Sequence, residues 1–494
     1  MASWTVYVTC LATILLYNNV ESYKILVPMI LPGKSHGILG EGFVQHLLSG
    51  GHEVTYITPF PMKPQKNLTI IDVSENTVVM RDVCNVKDMM DGKTDLQSLY
   101  ILMDLLVEIG KMTYQSSAVQ KLLSDRSQKF DLIVAEWLFH DLNAGIGAVY
   151  DCPFIWLSSL EPHWMVLRLI DDMPNPAYVS NFASNNAPPF TFRERLEELW
   201  DQLYGSWLIY NYIAPREEVL YNQYIVPHIQ DKSKPVPTLD QLKHNASLIF
   251  GNSHVSLGEA TRLPQNYIPI GGFHIDTEVK PLPSDLKKIM ESAEHGVIYF
   301  SMGSNLKSQD LPESLTRGLL NIFAKLKQTV IWKFERDLPN RPKNVHIVHW
   351  APQQSILAHP KTLFFISHGG LLSTTESVHF GVPMISIPVM VDQFVNADRA
   401  VKKGYKIKAK ELAYIYHNRP LTPRKEILHW VDHVIKTRGA LHLRSPALQV
   451  PWYQKLFLDL LAVILVIVLL LTKITKVLLS GARQQPEKTK KKRN

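Results

Sequence analysis

Cysteine is scarce in this chain, and the few present are far apart. Only 3 of the 494 residues are cysteine, which is too few for a fold built on disulfides or for a zinc site of several thiolates. Cys10 lies in an N-terminal apolar stretch, so Cys84 and Cys152 allow one disulfide at most, and two separate thiols fit the sequence equally well. We therefore expect no metal site.

A net positive charge is also missing from the main body of the chain. The net charge is +7, but residues 473–494 alone contain eight lysines and arginines and one acid. The other 472 residues contain 44 charged side chains of each sign. The net positive charge therefore comes from the C-terminal tail, and the composition gives no support for a nucleic-acid partner.

Apolar, β-rich runs alternate with helical patterns along the chain, which is typical of parallel α/β sheets. At 494 residues the chain is too long for one core. The predicted strands form two series, Tyr23–Pro28, Glu53–Thr58, Asp131–Ala135 and Phe154–Ser158, then Gly296–Ser301, Thr329–Phe334, Val345–His349, Thr362–Ser367 and Met384–Val389. Gly271–Ser284 reads as a linker between them. We predict two doubly wound α/β domains, 23–275 and 276–450, facing a cleft.

Both ends of the chain carry apolar segments that predict a membrane topology. Val6–Tyr17 has the length of a signal-peptide core, so residues 1–22 are predicted to be a cleaved signal. Leu456–Thr472 is about the minimum length for a transmembrane helix, and Trp452 and Tyr453 precede it as interfacial aromatics. The basic tail 473–494 then places the C-terminus in the cytosol. We predict a single-pass type I protein of the endoplasmic reticulum membrane.

Short motifs agree with that location. Asn67-Leu-Thr and Asn245-Ala-Ser are sequons for N-glycosylation on the lumenal side. Lys491 and Lys492, near the C-terminus, fit a dilysine retrieval signal read by a receptor. The alternative for these two lysines is a polybasic contact with anionic lipid.

The segment 365–393 has the chemistry of a nucleotide-diphosphate site. It reads as a buried strand, a His-Gly-Gly turn and a helix N-terminus, where backbone N–H groups and the helix dipole favour an anion. His368, Gly370 and Ser373 suit phosphate oxygens, and the carboxylate of Glu376 suits a ribose diol. A strand–turn–helix without a ligand would explain the glycines but not this polar set.

This segment resembles the signature of the UDP-glycosyltransferase family, from its His-x-Gly opening to Pro383, Pro388 and a final Asp-Gln pair. The resemblance implies a B-type glycosyltransferase fold and a UDP-sugar as co-substrate, with no separate cofactor. Many members have Asn where this chain has Leu372, so that contact is absent. The remaining donor-binding positions that the resemblance implies are Ser304 after the predicted strand Gly296–Ser301, Trp350 and Gln353 of His349-Trp-Ala-Pro-Gln-Gln354, and Asp392 and Gln393, which would hold the sugar hydroxyls.

A general base is expected in the first domain. His36 follows the first predicted strand, where the family keeps its catalytic histidine, and imidazole suits proton removal near neutrality. Members usually pair that histidine with an aspartate after a later strand, and here the matching position is Glu136. We predict that Glu136 orients His36, with Asp141 as the alternative. The reaction implied is direct displacement with inversion.

Residues from Glu161 to Tyr224 interrupt the α/β pattern with many aromatic side chains. They could line an apolar acceptor pocket, rest on a membrane surface or pack in the core. Together they predict a small lipophilic acceptor. The segment 371–383 resembles the insect branch of the family, which implies glucose, although glucuronate stays open. A non-catalytic lumenal binding protein is the rival hypothesis, and a homo-oligomer is possible under either. The aromatic residues concerned are Trp164, Tyr178, Phe182, Phe190, Phe192, Trp200, Tyr204, Trp207 and Tyr210.

Overall fold

A computed structural model describes residues 21–79, 98–231, 233–258, 261–276, 278–304, 306–389, 392–402 and 405–483. The chain divides into two units, Met1–Arg444 and Ser445–Asn494. The first unit contains two parallel sheets, and the second contains a long apolar helix.

The first sheet is built from the N-terminal half of the first unit. Within the described residues it has seven parallel strands in the order β3-β2-β1-β4-β5-β6-β7. The four predicted strands are confirmed to within two residues at each end. The other three escaped prediction because two of them have only three residues and β3 is largely half-exposed, so hydrophobic periodicity is weak. The strands are β1 Lys24–Pro28, β2 Glu53–Thr58, β3 Leu68–Asp72, β4 Leu132–Trp137, β5 Phe154–Ser158, β6 Ile249–Gly251 and β7 Tyr267–Pro269.

The second sheet uses the five strands that the sequence predicted. In the part of the chain that the structure describes, they are parallel and follow the order β10-β9-β8-β11-β12. The last one is shorter than predicted. These strands are β8 Val297–Ser301, β9 Thr329–Lys333, β10 Val345–Val348, β11 Thr362–Ser367 and β12 Met384–Ser386.

Helices cover both faces of the two sheets, as parallel strands that are buried on both faces require. The helices of the first half are α1 Lys34–Ser49, α2 Leu99–Gln115, α3 Ser117–Ser124, α4 Gly145–Tyr150, α5 Trp164–Leu167, α6 Phe192–Leu208, α7 Ala214–Tyr224 and α8 Leu239–Lys243. A π-helical turn, Ile209–Ile213, joins α6 to α7. The later helices are α9 Ser284–Ser292, α10 Glu313–Phe323, α11 Gln353–Leu357, α12 Leu371–His379, α13 Gln393–Lys402, α14 Tyr405–His417 and α15 Pro423–Lys436.

The helix α15 packs against the first sheet although it follows the second sheet in sequence. Its apolar face contributes Ile427 and Val431, both fully buried, to the core that contains Phe43 and Val44 of α1. The range 276–450, assigned above to the second domain, thus includes a helix whose buried contacts are with the first sheet.

Strand order explains where a ligand can bind. In the first sheet β2 and β3 lie on one side of β1 and the later strands lie on the other side, so the strand order reverses between β1 and β4. In the second sheet the order reverses in the same way between β8 and β11. Loops leave the sheet in opposite directions at such a switch point, and the resulting crevice lies beyond the carboxyl ends of the strands. The fold therefore provides two crevices, one per sheet.

The second unit contains α16 Trp452–Lys455 and α17 Leu458–Arg483. Within α17, Leu458–Ser480 is 23 residues long and strongly apolar, and this length and composition suffice to cross a membrane. The helix begins two residues after the start of the predicted span 456–472 and continues beyond its end. Phe457 has a φ of 55°, which separates the two helices, and Lys473 and Lys476 interrupt the hydropathy but are good helix formers.

Candidate functional site

One cavity of ≈ 300 Å³ collects residues from the loops of both sheets. His36 lies on its wall, and Glu136 contacts His36 from behind. All nine predicted donor-site residues line this same cavity: Ser304, Trp350, Gln353, His368, Gly370, Ser373, Glu376, Asp392 and Gln393. Residues far apart in sequence therefore meet at the crevices that the two switch points create.

The His36–Glu136 pair spans the switch point of the first sheet. His36 lies in the first turn of α1, after β1, and Glu136 lies near the end of the neighbouring strand β4. The Nδ1 atom of His36 is 2.5 Å from Oε1 of Glu136, whose side chain is buried. Because the carboxylate can only accept, Nδ1 carries the proton and Nε2 is the nitrogen left to act as a base.

Two opposing effects set the protonation of His36. Burial by itself lowers its pKa, because a low dielectric disfavours the imidazolium. The charge and hydrogen bond of Glu136, with a further contribution from the charge of Asp392, outweigh burial, so the pKa is raised above its ordinary value. His36 is thus a stronger base than a free histidine.

Asp141, the alternative partner, belongs to a different network. Its carboxylate lies 3.6 Å from the Arg168 guanidinium and 3.5 Å from the Lys243 ammonium, and it accepts a hydrogen bond from the Trp137 indole at 2.8 Å. Burial would raise the pKa of Asp141, but Lys243 and Arg168 lower it below its ordinary value. The contacts therefore favour Glu136 as the residue that orients His36.

A turn rich in backbone N–H groups faces the cavity from the second sheet. Gly370 is the N-cap of α12, and among the described residues no side chain caps this helix, so its first N–H groups stay open to an anion. Opposite it, Gly303 has a φ of +93°, and a Cβ there would lie 2.5 Å from Cε1 of His368. Burial, assisted by Lys333, lowers the pKa of His368 to about 4, so its ring is neutral near pH 7.

Lys333 is a site residue that the sequence reasoning missed. Lys333 is only 7% exposed. Its Nζ donates to the Gly303 carbonyl and to Glu335 at 2.8 Å each and lies 5.4 Å from the Trp350 ring centroid. The signal was a lysine at the carboxyl end of an otherwise apolar strand, β9. A buried cation beside the Gly303 turn makes this part of the cavity suited to a diphosphate.

A second group of side chains forms a hydrogen-bonded corner. The Gln353 amide donates to Glu376 at 2.6 Å and to Ser373 at 3.2 Å, and the Tyr299 hydroxyl donates to Gln353 at 3.2 Å. Trp350 is 61% exposed, so it is not a core tryptophan, and its ring face can receive a planar ligand. These contacts fix the direction in which Glu376 and Gln353 point.

Asp392 and Gln393 lie at the start of α13 and are also held by their neighbours. The Asn396 amide donates to Asp392 at 2.8 Å, and Gln393 accepts from the Val389 backbone N–H at 2.9 Å. Both side chains line the cavity near His36. The pair offers carboxylate and amide groups suited to hydroxyls.

The apolar wall of the cavity comes mainly from α2 and from the loops after β1, β4 and β5. This wall consists of Leu31, Ile38, Leu102, Leu105, Leu106, Ile109, Leu138, Phe139 and Leu160. The aromatic segment contributes little to it. Trp164 is buried in the core, whereas Phe192, Trp200 and Trp207 on α6 are 76%, 64% and 58% exposed. The acceptor-pocket interpretation of those aromatics is therefore not supported by this cavity.

Other predicted positions have simpler outcomes. The sequon residues Asn67 and Asn245 are both exposed. Cys152 is half-buried, and Cys84, Lys491 and Lys492 lie outside the described residues, so pairing and retrieval stay predictions. Over the described ranges, no group of three or more His, Cys, Asp or Glu side chains could hold a metal ion.

Comparison with known protein families gives a match over nearly the whole chain. Residues 34–412 and 401–492 match the family described as UDP-glucoronosyl and UDP-glucosyl transferase. A UDP-glucosyltransferase 2 of Dactylopius coccus is 30% identical over 493 residues, covering 91% of each chain. The UDP-glycosyltransferase UGT5 of the same insect is 31% identical, covering 90% of this chain and 89% of its own. A UDP-glucuronosyltransferase 3A1 of Bos taurus is 28% identical and covers 91% of each.

Solved structures agree on the fold. The glycosyltransferase SnogD of Streptomyces nogalater superposes with a TM-score of 0.51 at 15% identity, covering 84% of this chain and 99% of its own. A UDP-glucosyltransferase of Polygonum tinctorium gives 0.51 at 14% identity, covering 85% and 100%. The two-domain B-type glycosyltransferase fold expected from the sequence is confirmed.

The position of Lys333 generates a binding prediction. Lys333→Met keeps a similar volume but removes the cation, so the affinity for UDP should fall at least about tenfold while that for uridine changes little. Calorimetric titration with both ligands measures this difference. Lys325→Met, at an exposed position after α10, is the matched control. Equal losses for UDP and uridine would show that Lys333 only supports the local structure.

Proposed function

The chain belongs to the UDP-glucuronosyl and UDP-glucosyl transferase family and is a UDP-glycosyltransferase, and from that premise we propose that it transfers glucose from UDP-glucose to a hydroxyl of a small lipophilic acceptor. One observation supports the proposal most strongly. The half-buried His36, paired with the buried Glu136, shares a cavity with a set of polar side chains that suits a nucleotide diphosphate sugar. A base and a leaving-group site thus share one space.

The polar wall divides naturally among the parts of the donor. The Trp350 face receives the uracil ring, while Gln353 and Glu376 bind the base and the ribose diol. The diphosphate takes Ser304, Ser373, His368, the N–H groups that follow Gly370, and the Lys333 ammonium. Asp392 and Gln393 bind the hexose hydroxyls. With a cation and a helix N-terminus directed at the leaving diphosphate, the proposal requires no resident cofactor.

The reaction is a single displacement at the anomeric carbon. Nε2 of His36 takes the proton of the acceptor hydroxyl as its oxygen forms a bond to C1. The bond from C1 to the diphosphate oxygen breaks at the same time, and UDP leaves with that electron pair. Attack from the face opposite UDP inverts the configuration, so an α-linked donor gives a β-glycoside. Glu136 stabilises the imidazolium that forms on His36.

The apolar wall of the cavity accounts for the acceptor class. Leucine and isoleucine side chains of α2, together with Phe139, surround the space beside His36. Burying a phenol, a steroid or a plant metabolite of similar size there would remove apolar surface from water. One hydroxyl directed at His36 is the only polar group that the acceptor needs.

Glucose is our preferred donor sugar, with glucuronate as the alternative. The relatives from Dactylopius coccus include one named as a glucosyltransferase, and the mammalian relatives are named as glucuronosyltransferases. Lys333 already donates hydrogen bonds to Glu335 and to the Gly303 carbonyl. Its presence in the cavity is therefore not evidence for a donor sugar with a carboxylate, such as glucuronate. Donor competition decides between the two sugars.

The principal test is transfer from radiolabelled UDP-glucose, with UDP-glucuronate in parallel, to a panel of phenols in microsomes containing the chain. We expect glucosides to form, and His36→Ala should abolish transfer, a loss of at least about 100-fold, while UDP binding stays intact. His36→Ala that transfers at the wild-type rate would remove His36 from the chemistry. A wild-type chain that consumes neither donor would favour the non-catalytic binding protein.

The His36–Glu136 contact predicts a pH profile. Transfer requires neutral His36, so the rate should rise with pH through the His36 pKa, which Glu136 holds above its ordinary value of about 6.5. Glu136→Gln removes the charge and leaves burial dominant, so the acidic limb should move to lower pH while the maximal rate falls. Initial rates from pH 5 to 9 test both effects. An unmoved acidic limb in Glu136→Gln would contradict the assignment.

We also propose that the protein is a single-pass membrane protein of the endoplasmic reticulum with its catalytic domains in the lumen. The apolar helix Leu458–Ser480, the basic residues that follow it and the exposed sequons at Asn67 and Asn245 support this topology. The exposed aromatic side chains of α6 fit the interpretation that this segment rests on a membrane surface.

This topology predicts the accessibility of both ends of the anchor. Asn67 and Asn245 should acquire endoglycosidase-sensitive glycans, and an epitope after Asn494 should be digested by protease added to sealed microsomes. Replacing Lys491 and Lys492 with Ser should let the protein reach the cell surface with mature glycans. A protected epitope would refute the topology, whereas retention of the Ser variant would refute only the retrieval signal.

A further inference from the structure

The connection between the two sheets passes directly between the two halves of the site. After β7 the chain continues through Phe273 and His274 toward α9. The side chain of His274 is completely buried. Because a buried imidazole without a polar partner is costly, its surroundings indicate what it does.

On the donor side, His274 approaches the carboxylate assigned to ribose. Its Nε2 lies 3.5 Å from Oε1 of Glu376, which is ion-pair distance, and neither ring nitrogen has a hydrogen-bond partner among the described residues. The Gln354 amide donates both to that carboxylate oxygen, at 3.2 Å, and to the His274 backbone carbonyl, at 3.3 Å. The connection thus meets Glu376 at two points, through the nearby imidazole and through the hydrogen bonds of Gln354.

On the acceptor side, the same two residues contact the helix that carries His36. The His46 imidazole of α1 donates from Nε2 to the Phe273 carbonyl at 2.8 Å. Four residues earlier, Gly42 faces the connection so closely that a Cβ there would lie 2.8 Å from the His274 Cα atom. The helix α1 therefore packs directly on the backbone whose side chain reaches Glu376.

We propose that His274 is a positioning residue that holds Glu376 in place for the ribose and couples the donor site to the helix carrying His36. This inference rests on the proposed function, since it assigns Glu376 to the ribose. A donor bound at Glu376 fixes His274, and His274 fixes its backbone against Gly42 and His46. The same contacts make the fit between α1 and the connection a determinant of donor affinity.

The first experiment separates the polar contact of His274 with Glu376 from the packing of its ring. His274→Phe keeps a planar ring without a donor, and His274→Gln places an amide N–H near the position of Nε2. We expect calorimetry to give about tenfold weaker UDP binding for the Phe variant and near wild-type binding for the Gln variant. In a Glu376→Gln background, His274→Phe should add little further loss.

The second experiment asks whether α1 affects a ligand bound by the other sheet. Gly42→Ala should displace the connection and weaken UDP binding several-fold, although Gly42 lies in the domain opposite the nucleotide. Gly147→Ala on α4 is the matched control, because the nearest atom to a Cβ there is 3.8 Å away. Thermal unfolding of each detergent-solubilised full-length variant identifies any that have lost their fold.

The outcomes distinguish this proposal from the function on which it rests. UDP binding that His274→Phe leaves unchanged, or that the Gln variant fails to restore in a stably folded chain, overturns the positioning role. Wild-type UDP affinity in a folded Gly42→Ala variant overturns the coupling through α1. A wild-type chain that binds no UDP would instead overturn the proposed function itself, before any variant is compared.

Discussion

The buried contact between His36 and Glu136 is the interaction on which the organisation of the site depends. A carboxylate in the interior of a sheet is costly unless a charged or hydrogen-bonding partner offsets its lost hydration, and His36 is the partner that the structure provides at 2.5 Å. The pairing requires β1 and β4 to be neighbours, because His36 follows one strand and Glu136 lies near the end of the other. The same adjacency creates the switch point where a crevice opens. Burial tends to lower the pKa of His36 and the carboxylate raises it above the ordinary value, which suits a base that must accept a proton from a hydroxyl.

The second sheet repeats this arrangement with different chemistry. Its switch point lies between β8 and β11, and the loops that follow these two strands contribute the Gly303 turn and the helix N-terminus after Gly370. These groups, with Lys333, direct positive potential at one end of the cavity, while the corner around Glu376 directs acceptors at the other. A sugar nucleotide is complementary to this arrangement, because its diphosphate is negatively charged and the neighbouring ribose hydroxyls donate hydrogen bonds. In the proposed reaction the two sheets therefore have separate parts, since one would supply the base and the apolar acceptor wall and the other would bind the leaving group.

The connection between the sheets is more than a tether. Helix α15 packs on the first sheet after the chain has completed the second, and Phe273 and His274 contact α1 on one side and Glu376 on the other. Such crossed packing limits how the two domains can move independently, because displacing either one disturbs buried contacts of the other. Donor recognition and base placement are consequently parts of one packed structure.

The sequence by itself determined the parallel α/β class, nine of the strands, the nucleotide signature around His368 and Glu376, and the apolar helix near the C-terminus, because hydrophobic periodicity and turn chemistry are local properties. It also named His36 and Glu136, from their places beside predicted strands and from the resemblance to the family. Only the tertiary structure separates Glu136 from Asp141 as the neighbour of His36, since Asp141 is paired with Arg168 and Lys243 from distant elements. Lys333 and His274 likewise look like ordinary residues in the sequence, and they become site residues only through contacts with Gly303 and Glu376. The apolar wall of the cavity comes mainly from α2 rather than from the aromatic segment, because burial depends on which surfaces meet, and composition does not specify that.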